Sequence, residues 1–292
     1  MSEIDNRSPG LISFCQIQEW EGSLPVDSVK MEPVGIWAAS VIPTFSVSLR
    51  FPDDWKKKGI TLTELLIQNM AFDFTYDETL SHYKKYVIKP REVFYLSLSR
   101  AQKSGAVLNL PVEIPLKLEY KELLDDVITA HEDERKRRNL KSKFADDALL
   151  LHVPQTLHLV SVLFHRGVHW WAVVRRKSSW FLTNDNAPPE CVALDRYIRR
   201  ERSHVGACIY TASNDFLDEV PLPLPNPLST CCYFNSVIQG ILSIRKLRSI
   251  FSLLPADYPL KISVSPTMPE SFLAGNLVWF VSKVMIMRDI AR

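Results

Sequence analysis

Apolar and polar residues alternate along residues 44–50 (TFSVSLR), the period of a strand buried on one face. The following pattern is helical. Residues 61–70 (TLTELLIQNM) open with Thr61, carry Glu64 three positions on and space their leucines at helical intervals, which predicts a capping box and a short helix. Residues 93–99 (VFYLSLS) predict a second strand, and a turn about Ser104 and Gly105 separates it from apolar runs at 107–110 and 112–118. Charge dominates 119–143, including HEDERKRRNLKSK. Its interleaved signs predict a solvated helix or insertion rather than a basic tract for nucleic acid or nuclear import.

The most β-like stretch is 158–174 (HLVSVLFHRGVHWWAVV), two β-branched and aromatic runs divided at Arg166 and Gly167. It predicts a hairpin buried on at least one face. A strand at 180–183 (WFLT) follows, terminated by 184–189 (NDNAPP), and ACIY at 207–210 is another candidate. Residues 212–227 are acidic and proline-rich, with four prolines in the seven positions from Pro221, and read as a linker. Beyond it Phe234, Val237, Ile238, Ile241 and Leu242 fall on one helical face, and a last helix is predicted over 272–287. No internal repeat is evident.

Composition narrows the choices. With 292 residues, 46% hydrophobic and 23% charged, the chain suits one large domain or two lobes sharing a core. Its nine glycines never lie within ten positions of one another, which excludes a dinucleotide fingerprint and a phosphate loop. A formal net charge of +2 provides no overall attraction for nucleic acid. Residues 1–10 are polar and predict no secretory signal, while Asn276, Ser282 and Lys283 interrupt the apolar stretch at 272–287, so a buried helix fits it better than a membrane span. The five cysteines (15, 191, 208, 231 and 232) form no C-x-x-C pair, which supports neither a zinc ribbon nor a disulfide framework. A reduced compartment, cytoplasmic or nuclear, is expected.

Cys231 and Cys232 stand at the start of the predicted amphipathic helix. Unpaired backbone N–H groups and the helix dipole there stabilise a thiolate, though two small apolar side chains also pack well at a helix start. His165 and His169 are four apart, with His158 before them, but no third ligand sits at a metal-site spacing. An imidazole that serves a thiol needs a polar group to orient it. Asn184 and Asp185, at the end of the next strand, are candidates for that role as well as ordinary turn residues.

These residues together resemble the ubiquitin-specific proteases. Residues 223–248 (PLPNPLSTCCYFNSVIQGILSIRKLR) are similar to the cysteine box of that family, roughly GLxNxGNTCYxNSxLQ followed by a helix. LVSVLFHRG, VHWWAVVRR, WFLTND and ACIY resemble, in order, four parts of its histidine box. TFSVSLRFP and TLTELL look like the elements entering the fingers, and VFYLSLSR and LNLPVEIPLKLEY like palm strands. The two boxes are in reversed order. PESFLAGNLVWFVSKV faintly resembles the segment that precedes the fingers, so the resemblance implies a circular permutant, with a chain truncated or spliced from neighbouring reading frames as the alternative.

The resemblance implies an α+β, papain-like cysteine protease fold with an antiparallel palm sheet packed on a helical thumb. Residues 1–211 would supply fingers, palm and histidine box, 212–227 the linker, and 228–292 the cysteine-box helix and thumb, together one catalytic domain. In the implied Cys–His–Asn site, His169 is general base and then acid, Asn184 orients it, Asp185 is the adjacent acidic position and His165 is structural. Reading back from the helix, C-Y-F-N-S selects Cys232; reading forward through Leu224, Asn226 and Thr230 selects Cys231. The helix register favours Cys232. Asn226 matches the family's oxyanion donor. The implied reaction is hydrolysis of isopeptide bonds at the C-terminus of ubiquitin or a ubiquitin-like protein, with no cofactor and no metal. Such conjugates, not nucleic acid or membrane, are the implied partners. Family glycines are replaced here by Val168, Pro223, Leu228 and Ser229, which motivates a second expectation, a weak or inactive homologue serving as a ubiquitin-binding or protein-interaction scaffold.

Overall fold

The computed structural model describes residues 15–25, 35–44, 47–51, 59–70, 73–76, 80–90, 93–99, 111–137, 153–185, 187–224 and 232–253. The predicted turn at 104–105, the run at 107–110, the tail of the charged stretch and the last predicted helix lie outside these residues. The architecture is mixed α+β. The chain divides into two compact units, the first comprising Met1–Ile12, Val160–Tyr197 and Asn214–Arg292, and the second Ser13–Leu159 and Ile198–Ser213.

In the second unit, β1 (Cys15–Pro25), β2 (Gly35–Thr44), β5 (Asp73–Tyr76) and β6 (Leu80–Pro90) form an antiparallel sheet in the order β2-β1-β6-β5. A second group places β7 (Val93–Ser99) between antiparallel β14 (Val205–Thr211) and parallel β3 (Val47–Arg50). The alternation read at 44–50 is realised in β3, where Val47 and Leu49 are buried and Ser48 and Arg50 face out. Short β4 (Ile60–Thr61) and β8 (Val112–Glu113) pair in parallel.

Helix α1 (Leu62–Asn69) starts as predicted. The Thr61 hydroxyl accepts the Glu64 amide at 3.1 Å, and the Glu64 carboxylate accepts the Thr61 amide at 2.9 Å, closing the capping box. Such a cap is worth about 1 kcal/mol. Leu62, Leu65 and Leu66 are the buried side of this helix. β9 (Lys117–Leu118) leads into α2 (Tyr120–Arg137), a helix where the charged stretch was expected to give a solvated helix or insertion, but with Leu123, Leu124 and Val127 buried along its first turns. Buried Tyr120 anchors its start by donating to the Ile88 carbonyl at 2.6 Å and packing edge-on against Phe94. Tyr210 likewise donates to the Pro115 carbonyl at 2.7 Å, and burial pushes its phenol well above the usual range.

In the first unit, β10 (Leu157–Arg166, from Val160 onward), β11 (His169–Arg176), β12 (Ser179–Asn184) and β13 (Ala187–Val192) form an antiparallel meander in the order β13-β12-β11-β10. Its apolar centre includes Val162, Leu163, Phe164, Ala172, Val173 and Val174, all fully buried. Phe164 stacks on Trp171 at 5.8 Å and meets Tyr197 of α3 (Leu194–Glu201) edge-on at 5.3 Å. Helix α4 (Cys232–Ile241) lies on β11 and β12, and α5 (Arg245–Leu253) follows it.

Two stretches differ from the expectation drawn from composition. Residues 184–189 do not merely end β12: the chain turns at Asp185 and returns as β13, an edge strand containing Pro188 and Pro189. The ladder is irregular between Leu182 and Asn184, opposite those prolines, so their missing donors break no regular pairing. Residues 212–224 form no helix or strand, with Pro221 and Pro223 near their end, yet they are anchored. Phe216, Leu217 and Leu224 are buried. The Leu217 amide donates to Ser243, the Lys177 amide to Leu217, the Arg245 amide to Asp215 and the Leu224 amide to Asp185, at 3.0–3.2 Å. Within the first unit this segment is a strap laid across β11, α4 and α5. The rest of the predicted linker, from 225 on, lies outside the described residues.

Candidate active site

The site grows from the β10–β11 turn. Arg166 pairs with His169, leaving Gly167 and Val168 as a two-residue loop. Gly167 has φ +64°, while Val168 keeps a negative φ, the pattern of a type II′ turn, whose first central residue is normally glycine. The Val168 side chain is 92% exposed. His169 then begins β11 with its ring against Trp171 at 5.7 Å.

Across the meander, His169 Nε2 lies 2.8 Å from Asn184 Oδ1. An amide oxygen only accepts, so Nε2 is the donor of this bond, and whenever the ring is neutral the lone pair falls to Nδ1. The residue read as orienting His169 therefore bonds it through the nitrogen that leaves the other free for a base.

Cys232 is the first residue of α4 and is 4% exposed. Its thiol donates to the Val168 carbonyl at 3.7 Å, the carbonyl of the peptide that His169 completes. Thiol, imidazole and amide thus gather at one end of the meander, although 63 positions separate Cys232 from His169. The Ser236 hydroxyl donates to the Cys232 carbonyl at 2.9 Å, tying the first turn of the helix. Next to the thiol, Tyr233 meets Trp170 edge-on at 4.8 Å, and His165 stacks on Trp170 at 4.4 Å. His165 thus packs in an aromatic pair, in keeping with a structural role.

Asp185 bonds elsewhere than His169. It turns the chain at φ +46°, and its carboxylate accepts from Asn235 Nδ2 at 3.2 Å. Asn235 also reaches the Leu224 carbonyl at 3.3 Å, and the Leu224 amide returns to the Asp185 carbonyl at 3.1 Å. This three-way junction ties the end of β12, helix α4 and the strap. Asn226 and Cys231 lie outside the described residues.

A second cluster was not singled out from the sequence. Buried Arg176, at the end of β11, donates from Nε to the Glu219 carbonyl at 2.9 Å and from Nη1 to the Ser243 hydroxyl. Burial pushes its guanidinium down to about 10, the Arg248 charge adds to that, and Glu219 partly offsets it. At neutral pH the group stays charged, so its burial works against the fold. Its neighbour Arg175 lies 4.4 Å above the Phe216 ring. The sequence signal there is only a strand ending in two arginines, a pattern that solvated strand ends share.

Among the described residues no group of three or more His, Cys, Asp or Glu side chains could hold a metal ion, and no helix is long and apolar enough to cross a membrane. No protein-family model matches the chain. No curated protein matches it either. Among solved structures it is similar to the PAN2 pseudoubiquitin-hydrolase of Saccharomyces cerevisiae, with a TM-score of 0.36 and 9% identity over 69% of this chain. The match spans 55% of that protein's chain, and a likeness this loose assigns no role to any residue.

Proposed function

We propose that the first unit carries a cysteine hydrolase site acting at the C-terminal glycine of ubiquitin or a ubiquitin-like protein. One observation carries the chemistry: the Cys232 thiol sits 3.7 Å from the carbonyl joined to His169, whose Nε2 is held at 2.8 Å by Asn184. The substrate class rests on the resemblance of the two boxes to ubiquitin-specific proteases. Their reversed order is read as a circular permutation.

In the proposed reaction the thiol leaves the Val168 carbonyl and passes its proton to His169 Nδ1. The thiolate, at the positive end of α4, attacks the glycine carbonyl. The imidazolium then protonates the departing lysine amine, leaving a thioester. A water deprotonated by His169 attacks the thioester, and Cys232 regains its proton as the carboxylate product leaves. Asn226 is assigned the oxyanion from its place in the motif. Cys231 is the alternative nucleophile. The chain is proposed to act in the cytoplasm or nucleus.

A second reading has its own observation. The thiol is nearly buried and spends its hydrogen on a backbone carbonyl, which is the bonding of a resting thiol. On that reading the chain binds ubiquitin or a protein partner without cleaving it. A ubiquitin probe with a C-terminal electrophile separates the two. Labelling that survives Cys231→Ala and is lost in Cys232→Ala supports the hydrolase as drawn, and the opposite result moves the nucleophile to Cys231. Ubiquitin binding with no labelling of the unmutated chain selects the scaffold.

A further inference from the structure

The strap, β11, α4 and α5 border a partly open cavity of about 240 Å³ within the first unit. Part of its lining is apolar: Leu224, Ile238 and Leu242 are buried, while Val220 and Leu222, 55% and 60% exposed, offer aliphatic carbon at the surface. The charged lining is Arg176, Arg248 and Glu219. The Glu219 carboxylate is engaged by Arg248. Among the described residues Arg176 has only neutral acceptors, the Glu219 carbonyl at 2.9 Å, the Arg175 carbonyl at 3.2 Å and the Ser243 hydroxyl. Its Nη2 has no acceptor among the described residues.

The Glu219 carboxylate, held by Arg248, offsets only part of the desolvation of this charge, and a carboxylate is the anion that the remaining Nη2 donors suit. Burial has lowered the proton affinity of this guanidinium, which an incoming anion would restore. The size of the cavity limits what accompanies the anion. It exceeds the roughly 150 Å³ that accepts a benzene ring and falls short of the roughly 300 Å³ at which drug-sized pockets begin.

We propose that this cavity binds a carboxylate carried on a short branched aliphatic chain, as in a free branched acid or the C-terminal residue of a peptide ending in leucine, isoleucine or valine. Arg176 receives the carboxylate, and Leu224, Ile238 and Leu242 receive the alkyl group. The site shares no residue with Cys232, His169 or Asn184, so it stands or falls independently of the proposed hydrolysis.

The test is calorimetric titration of the full chain with 4-methylpentanoate and acetyl-Gly-Leu, each beside its neutral amide. Titrations run to about 20 mM, a range that covers the millimolar affinity within reach of a ligand of about eight heavy atoms. The acids are expected to bind saturably, and the amides at least tenfold more weakly. Tighter binding of acetyl-Gly-Leu identifies a peptide C-terminus as the source, and tighter binding of 4-methylpentanoate a free acid. Val220→Asp, at an exposed position, is expected to keep the melting temperature of the unliganded chain and weaken acid binding at least tenfold. No saturable binding of either acid, equal binding of acid and amide, or full binding by Val220→Asp would each overturn the proposal.

Discussion

The β10–β11 hairpin and the 214–224 strap both reach the candidate site, and they are held by different means. The hairpin is a regular ladder: six residue pairs from Ser161↔Val174 to Arg166↔His169 fix its register, and one glycine closes it. The strap has no ladder. Isolated backbone bonds to Lys177, Ser243, Arg245 and Asp185, and the guanidinium of Arg176, hold it in place. The hairpin spreads its register over repeated equivalent backbone bonds, so losing any one of them should cost little, while buried side chains such as Phe164 and Val173 carry the usual cost of a core position. The strap concentrates its stability in a few groups, each of which should be costly to remove.

The largest expected effect tests the chemistry on the hairpin. His169→Ala should slow cleavage of a ubiquitin C-terminal fluorogenic substrate by about 10²–10⁴-fold, the usual contribution of a general acid–base, while thermal melting barely moves. Next, on the strap, Arg176→Met should lower stability in urea titration by about 2 kcal/mol, because the Glu219 carbonyl and Ser243 hydroxyl lose a charged donor, a loss that relief of the buried charge only partly offsets. Hydrogen exchange should then quicken at the Leu217 and Leu224 amides and leave the hairpin amides unchanged; equal quickening in both would erase the contrast. At the junction of the two, Asp185→Ala should cost about 1–2 kcal/mol, through left-handed backbone strain and the lost acceptor for Asn235, and Asp185→Asn should recover most of it. The smallest effect belongs to the turn. Gly167→Ala meets no atom within 4 Å of the added carbon, so its cost, read from the melting temperature, is only the backbone preference of about 1 kcal/mol.

Legibility followed the same divide. Regular elements announced themselves: Thr61 and Glu64 formed their capping box, 93–99 became β7, and the runs on either side of Gly167 became β10 and β11. Where side chains do not repeat with a period, the pattern was silent. Helix α3 (LDRYIRRE) sets Leu194, Tyr197 and Ile198 on one face, but two turns are too short a window for that spacing to stand out in the sequence. Strand β13 begins Ala-Pro-Pro, which reads as a stop until an irregular edge is available to hold it. His169, Asn184 and Cys232 were readable because their residue types carry chemistry and their neighbours form motifs. The bonds of Asp185 to Asn235 and of Arg176 to the strap were not, since each joins residues more than forty positions apart without a motif between them.

The strap has a consequence for proteolysis. An acidic, proline-rich stretch is where an endoprotease would be expected to cut, because such segments usually offer their backbone to the enzyme as an extended strand. Here the amides of Leu217 and Leu224 and the carbonyls of Asp215, Leu217, Glu219 and Leu222 are already taken by the first unit's own groups. A protease must therefore wait for the strap to lift, and the rate of cutting between 214 and 224 becomes a clock for that local opening.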